Sequence, residues 1–251
     1  MLWPVTSVYQ AIHTKPGRGL IVFIHQTSNQ LLSFVTTPHD IRRLNLDGVW
    51  YRLPSEKTGQ AWLTDTPPQF IYAPKAHREI SHIRRLRPEG LPILMAMLQR
   101  LKPLHMVGKL GPILIQLPPN LKRDDGRLET FLGSVPTTHQ WAMEFWHESW
   151  QADEIERILR QYSVSGTAVE TDEYEAEYRD TARFRYVRLR KHEYSQAELR
   201  RWAERFQDAF QQGQDCFVYC KHEDEGSPWL WVDELSRLLN YETIPKWPRV
   251  L

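Results

Sequence analysis

Cysteine is nearly absent from this chain: two residues in 251, Cys216 and Cys220, four positions apart in DCFVYCKH. If that run is a strand, both thiols share a face at a separation ill suited to a disulfide, and two buried reduced thiols are expected. Long apolar runs are missing too. None approaches the roughly 18 residues of a membrane helix, and MLWPVTSVYQ has no basic stretch leading into an apolar core. The expectation is a soluble, cytoplasmic protein with no membrane partner. Charge of one sign is also lacking, since the formal net charge is +1. That leaves no electrostatic footprint for nucleic acid or an anionic surface. The histidines show no HxH, HExxH or CxxC-type spacing, so no metal site is expected and no cofactor is indicated. No GxGxxG or GxxxxGK[ST] opens a helix after a strand, which removes the usual phosphate-loop signatures.

What is present is ordinary globular material, 41% apolar and 25% charged, with ten tryptophans. Strand-like runs rich in Val, Ile, Phe and Tyr occur at 4–9 or 20–24, then at 43–47, 69–75, 111–117, 141–145, 166–170, 184–189 and 216–220. Between them lie helical patterns. SQAELRRWAERFQDAFQQG begins with a capping box, Ser195 and Glu198, and ends at Gly213, with Leu199, Trp202, Phe206 and Phe210 on one face. ADEIERILRQY, GLPILMAMLQRLKPL and PWLWVDELSRLL are further helices, and SEKTGQAWL is a short one. Strands alternating with helices argue for parallel βαβ units. A closed barrel and an open doubly wound sheet both fit. The count of about eight units and the missing phosphate loops favour the barrel, so the expected fold is a single α/β domain over residues 1–251, a TIM-barrel-like (β/α)8.

In either architecture a ligand binds beyond the carboxyl ends of the strands. Those ends carry Asn45 and Asp47, Lys75, Gln116, Glu144, Glu170 and Asp172, Arg188 and Arg190, and Lys221 with His222. Glu144 lies within WAMEF, a run that otherwise reads as buried, so it needs a cationic partner; Lys75, Arg188 and Lys221 are the candidates. Lys75 suits anion binding, base chemistry or a structural ion pair equally. Gln116 offers a donor and an acceptor to a hydroxylated ligand, or satisfies loop backbone. Trp50, Tyr51, Trp146 and Trp150 are candidate aromatic walls, although core packing is the commoner role. The basic runs HIRRLR and RLRKH are balanced by ETDEYEAE and read mainly as solvated faces.

The segments QFIYAPKAHREISHIRRL, KLGPILIQLPPNL, WAMEFWHESW and FRYVRLRKHEY, in that order, resemble the YecE-like family, domain of unknown function 72. The resemblance runs from about Gly48 to Leu239 and implies a TIM-barrel-like fold of uncharacterised activity. Matching positions are Tyr51, Pro54, Lys75, His82, Gln116, Glu144, Ser149, Trp150, Asp172 and Arg188. The departures fall at strand ends. Where the family pattern has acid then amide, this chain has Asn45 and Asp47. Trp146 replaces an arginine, Arg190 a histidine, and Lys221 with His222 a pair of asparagines. The family's opening GTSGW is at best TSVY here, at residues 6–9. A retained fold with a rebuilt pocket is the expectation.

Two functions follow, with nucleic-acid processing a weaker third that the missing ligand spacing and near-zero net charge disfavour. One is an enzyme acting on a small hydroxylated, anionic or sugar-like ligand. Glu144, Lys75 and Asp47 are its catalytic candidates, and Tyr51, His82, Gln116, Trp146, Asp172, Arg188, Arg190 and Lys221 line the ligand site. The other is a non-catalytic relative that binds a ligand or a protein, the latter through an aromatic patch at Trp229 and Trp231. A monomer is expected.

Overall fold

The structure is a computed structural model and describes residues 20–25, 47–64, 71–221 and 228–239, with backbone alone at 20–25, 47–48, 221 and 228–229. The elements run β1 (Leu20–His25), α1 (Asp47–Tyr51), α2 (Glu56–Thr64), α3 (Leu91–Met106), β2 (Ile113–Gln116), α4 (Asp125–Ser134), β3 (Trp141–Glu144), α5 (Asp153–Gln161), β4 (Ser165–Gly166), β5 (Ala168–Glu170), β6 (Phe184–Leu189), α6 (Gln196–Gln211), β7 (Asp215–Lys221) and α7 (Pro228–Leu238). A π-helical turn, Glu79–Ile83, precedes α3.

All strand pairings among the described residues are parallel, as the alternation of strands and helices requires. They form two sheets, one in the order β1-β7-β6-β5 and the other β2-β3-β4. This corrects the expected closed (β/α)8 barrel. The fold is α/β with two parallel sheets, and no pairing among the described residues closes them into a ring. The run 166–170, read as one strand, breaks at Thr167. Residues up to Gly166 pair with β3 and residues from Ala168 pair with β6, while the Thr167 N–H donates to the Met143 carbonyl. The run 69–75 is no regular strand either. It makes isolated bridges only, Tyr72 to Leu110 and Lys75 to Leu114, because Pro74 has no N–H to give the ladder. Of the run 43–47, Asp47 begins α1, and the rest lies outside the described residues, as do 4–9, 69–70 and His222.

Strand alternation divides the core. Phe184 and Tyr186 of β6, with Phe217 and Tyr219 of β7, face a core filled from β2, β3 and helices α2 to α5. Val187 and Leu189, with Cys216, Val218 and Cys220, face the opposite way, under α6 and α7. Burial pushes both thiols up to about 12, and both cysteines are free. α6 carries the capping box expected of Ser195 and Glu198, and its chain exits at Gly213, which has φ of 76°. Trp231 is buried edge-on against Tyr194, so it contributes no exposed aromatic patch.

Candidate functional site

Register places the strand-end side chains. Lys75 bridges Leu114, Gln116 is paired with Glu144, and Leu114 is paired with Ala142. Paired residues and residues two apart share a face, so Lys75, Gln116 and Glu144 line one face of this sheet. Glu144 has no exposed surface. Its partner is Arg188 of β6, whose Nη1 donates to Oε1 at 2.8 Å and Oε2 at 2.6 Å. β3 and β6 are not neighbours, since β4 and β5 lie between them. The bridge therefore ties the two sheets together at their carboxyl ends. Arg188 is itself nearly buried, with 11% of its side chain exposed. An unpaired carboxylate there would be costly, and a charge-assisted pair is the physical condition for placing it at all.

Two residues beyond Glu144 and Arg188 in the sequence, Trp146 and Arg190 meet: the guanidinium lies 5.6 Å from the centre of the indole ring. The indole N–H of Trp146 is buried and has no hydrogen-bond partner.

On the Lys75 side, α1 delivers Trp50. Lys75 Nζ sits 4.4 Å from the centre of its ring, Arg78 Cζ lies at 5.8 Å, and the His82 ring stands edge-on at 5.2 Å. The Trp50 indole N–H is likewise buried without a partner. The π-helical turn carries His82 here, beside buried Ser81, whose Oγ lies 2.9 Å from His82 Nδ1. Burial, and then the positive charges of Lys75, Arg78 and Arg85, lower the His82 pKa to about 4. Tyr51 is exposed, edge-on to Trp50, and its backbone carbonyl faces His77 Nε2 at 3.2 Å.

Other candidates fall elsewhere. Both oxygens of exposed Asp172 accept from the backbone N–H of His192, at 3.1 and 3.0 Å, which ties two loops together. Glu170 faces the helical layer: it accepts from the Trp202 indole at 2.7 Å and lies 3.5 Å from Lys191 Nζ. Trp150 is core, stacked on Phe145 and donating to the Leu121 carbonyl, and the Ser149 hydroxyl accepts from the Arg123 N–H. Asp47 and Lys221 are placed by backbone alone, at the start of α1 and the end of β7. Among the described residues no group of three or more His, Cys, Asp or Glu side chains is arranged to hold a metal. No helix among them is long and apolar enough to cross a membrane.

Arg78 and Ser81 were not singled out from the sequence. The signal available was the density of basic residues directly after a strand, in HREISHIRR, which reads equally well as a solvated face.

Fold and site together define an α/β protein of parallel strands with a cationic, tryptophan-rich cluster at their carboxyl ends. The chain belongs to the family described as protein of unknown function DUF72, whose model matches residues 39–250, in agreement with the resemblance to the YecE-like proteins. Solved structures agree on the fold. A DUF72 family protein from Thermotoga maritima is 21% identical with a TM-score of 0.64, covering 76% of this chain and 82% of its own. Another, from Enterococcus faecalis, is 16% identical with a TM-score of 0.63, covering 78% and 88%. No curated protein matches the sequence.

Proposed function

We propose that the protein binds a small hydroxylated anion at the carboxyl ends of its strands. The observation that carries this reading is the charge distribution there. Lys75 and Arg78 lie by the Trp50 ring and Arg190 by the Trp146 ring, and Glu144, on the same sheet face as Lys75, is held at both oxygens by Arg188. Cationic side chains beside tryptophan faces suit a ligand with an anionic group and a hydroxylated carbon frame. Lys75 and Arg190 bind the anionic group, and Gln116 reads a hydroxyl. In an enzyme, Glu144 is the general base, with Asp47 as the alternative.

A second reading, binding without turnover, is favoured by Glu144 itself. A base must reach its proton, whereas this carboxylate is fully buried and engaged at both oxygens.

The test is a thermal-shift screen of the full chain against sugar phosphates, nucleotides, organic acids and divalent metals, repeated with Lys75→Ala and Gln116→Ala. A ligand at a hundred times its dissociation constant adds about 2.7 kcal/mol of stability. The expected result is a shift confined to hydroxylated anions and reduced in both variants. A shift equal in wild type and variants removes the site, and incubation of any hit with the protein, followed for product, separates enzyme from binder.

A further inference from the structure

His82 is held by a strained piece of backbone. The turn Glu79–Ile83 is π-helical, and the Arg84 N–H donates to the Glu79 carbonyl at 2.8 Å. Arg85 and Leu86 follow with φ of 52° and 63°, two residues in succession in the left-handed region that favours glycine. Leu86 is buried there, and its N–H donates to the Ile80 carbonyl at 3.0 Å. Gly90 packs against the same turn so closely that a Cβ on it would lie 3.3 Å from Arg84 Cβ. Single π-turns and left-handed non-glycine residues persist where the surrounding structure over-determines them, and both gather at functional sites.

The turn also fixes the His82 tautomer. Ser81 has no exposed surface, and the one hydrogen bond its hydroxyl makes among the described residues is with His82 Nδ1, at 2.9 Å. A hydroxyl has one proton to give and two lone pairs. Were Nδ1 to carry the ring proton and donate, the buried Ser81 O–H would be left without an acceptor. The O–H therefore donates and Nδ1 accepts, so the proton of the ring, which is uncharged at pH 7, sits on Nε2. Nε2 itself has no hydrogen-bond partner among the described residues. The Trp50 ring stands edge-on at 5.2 Å, and its indole N–H is buried without a partner. Two N–H groups on neighbouring rings lack an acceptor, and neither can accept a hydrogen bond.

We propose that the His82 Nε2–H and the Trp50 indole N–H are paired donors for a proton-free oxygen of the ligand, carbonyl or carboxylate, with Ser81 as the positioning residue that holds the imidazole in its donating tautomer. This inference rests on the ligand-site reading and deepens it. A carbonyl-type oxygen brings lone pairs and no proton, which suits a pair that only donates, whereas a hydroxyl brings a proton that the pair cannot take. The selection is one of hydrogen-bond polarity and needs no count of the charges nearby.

The experiment uses uniformly 15N-labelled full-length protein at pH 7. Ring-nitrogen correlation spectra show which nitrogen of His82 carries the proton. The His82, Trp50 and Trp146 signals are assigned from the peaks lost in His82→Phe, Trp50→Phe and Trp146→Phe. Glycerol, glycerate and dihydroxyacetone, a series with hydroxyls alone, a carboxylate or a ketone, are titrated in turn. The expected tautomer is Nε2–H in wild type, with both tautomers populated in Ser81→Ala. Glycerate or dihydroxyacetone moves the His82 and Trp50 signals and glycerol does not; which of the two acts tells carboxylate from ketone. His82→Phe weakens the Trp50 response about tenfold, the equivalent of one hydrogen bond, and His82→Gln, whose amide keeps a donor, restores most of it. An Nδ1–H tautomer in wild type, or glycerol equal to the other two, overturns the donor pair, and a tautomer unchanged in Ser81→Ala overturns the role of Ser81. If a probe moves Trp146 and leaves His82 and Trp50 still, the ligand site stands and the donor pair falls. If none of the three signals responds to any probe, both fall.

Discussion

Arg188 holds both carboxylate oxygens of Glu144 across two intervening strands, at 2.8 and 2.6 Å, over the chain segment where one sheet hands over to the other. The pair is both a structural tie and a feature of the candidate site, and these two roles separate under mutation. Arg188→Met leaves an uncompensated buried carboxylate and lowers unfolding stability by about 3–5 kcal/mol. Glu144→Leu combined with Arg188→Met restores most of that loss, because an apolar pair of similar volume needs no desolvation. Urea denaturation of wild type, the single variant and the double variant checks this. A double variant as unstable as Arg188→Met shows that the loss comes from the missing bridge itself and not from an uncompensated carboxylate.

Glu170 illustrates how far strand alternation reaches. The sequence places it at a strand end beside Glu144, and the two acids look alike there. In the structure the break at Thr167 and the register of β5 turn Glu170 toward α6, where the Trp202 indole donates to it at 2.7 Å. Glu170→Gln therefore lowers stability by about 1.5–3 kcal/mol, the worth of a charge-assisted hydrogen bond. Ligand-induced thermal shifts stay as in wild type. A lost shift with intact stability would place Glu170 in the site.

Local chemistry was legible. The capping box of α6 and its glycine exit follow from Ser195, Glu198 and Gly213 alone, since a cap is settled within one turn of chain. Ser195→Ala is expected to cost about 1 kcal/mol, read as a lower denaturation midpoint with an unchanged slope. What the sequence could not disclose is non-local. That Glu144 needed a cation followed from burial, but Lys75, Arg188 and Lys221 were equivalent until register and the intervening strand selected Arg188. The barrel expectation failed for the same reason: counting strand-like runs cannot show that 166–170 serves two sheets or that Pro74 reduces its run to bridges. Trp50 meets His82 across more than thirty positions of chain, which no spacing rule anticipates.

The thiols give a pH prediction with a definite sign. Cys216 and Cys220 are pushed from 9.0 to about 12 by burial, so the folded state keeps its protons where the unfolded chain loses them. Their contribution to stability is complete below pH 9 and is lost as pH rises from there toward 12. Native protein at pH 8 is expected to resist a thiol-specific disulfide reagent, with both cysteines reacting once urea unfolds the chain. Rapid reaction of either in the native state would show local opening of β7.

His82 acts in the opposite direction. Its folded pKa of about 4 lies below the ordinary 6.5, first through burial and then through Lys75, Arg78 and Arg85. As pH falls below 6.5 the unfolded chain takes up a proton that the folded protein refuses. The stability this group contributes is present above 6.5 and is lost as pH falls toward 4. Because the ring is only half-buried, solvent screening makes the effect modest. Arg78→Ala removes one of the repelling charges, so it raises the His82 midpoint and flattens the acid limb of the stability profile. Thermal midpoints measured from pH 7 to 4.5 in both proteins check this. A profile insensitive to Arg78 would mean that the charge cluster does not act on His82.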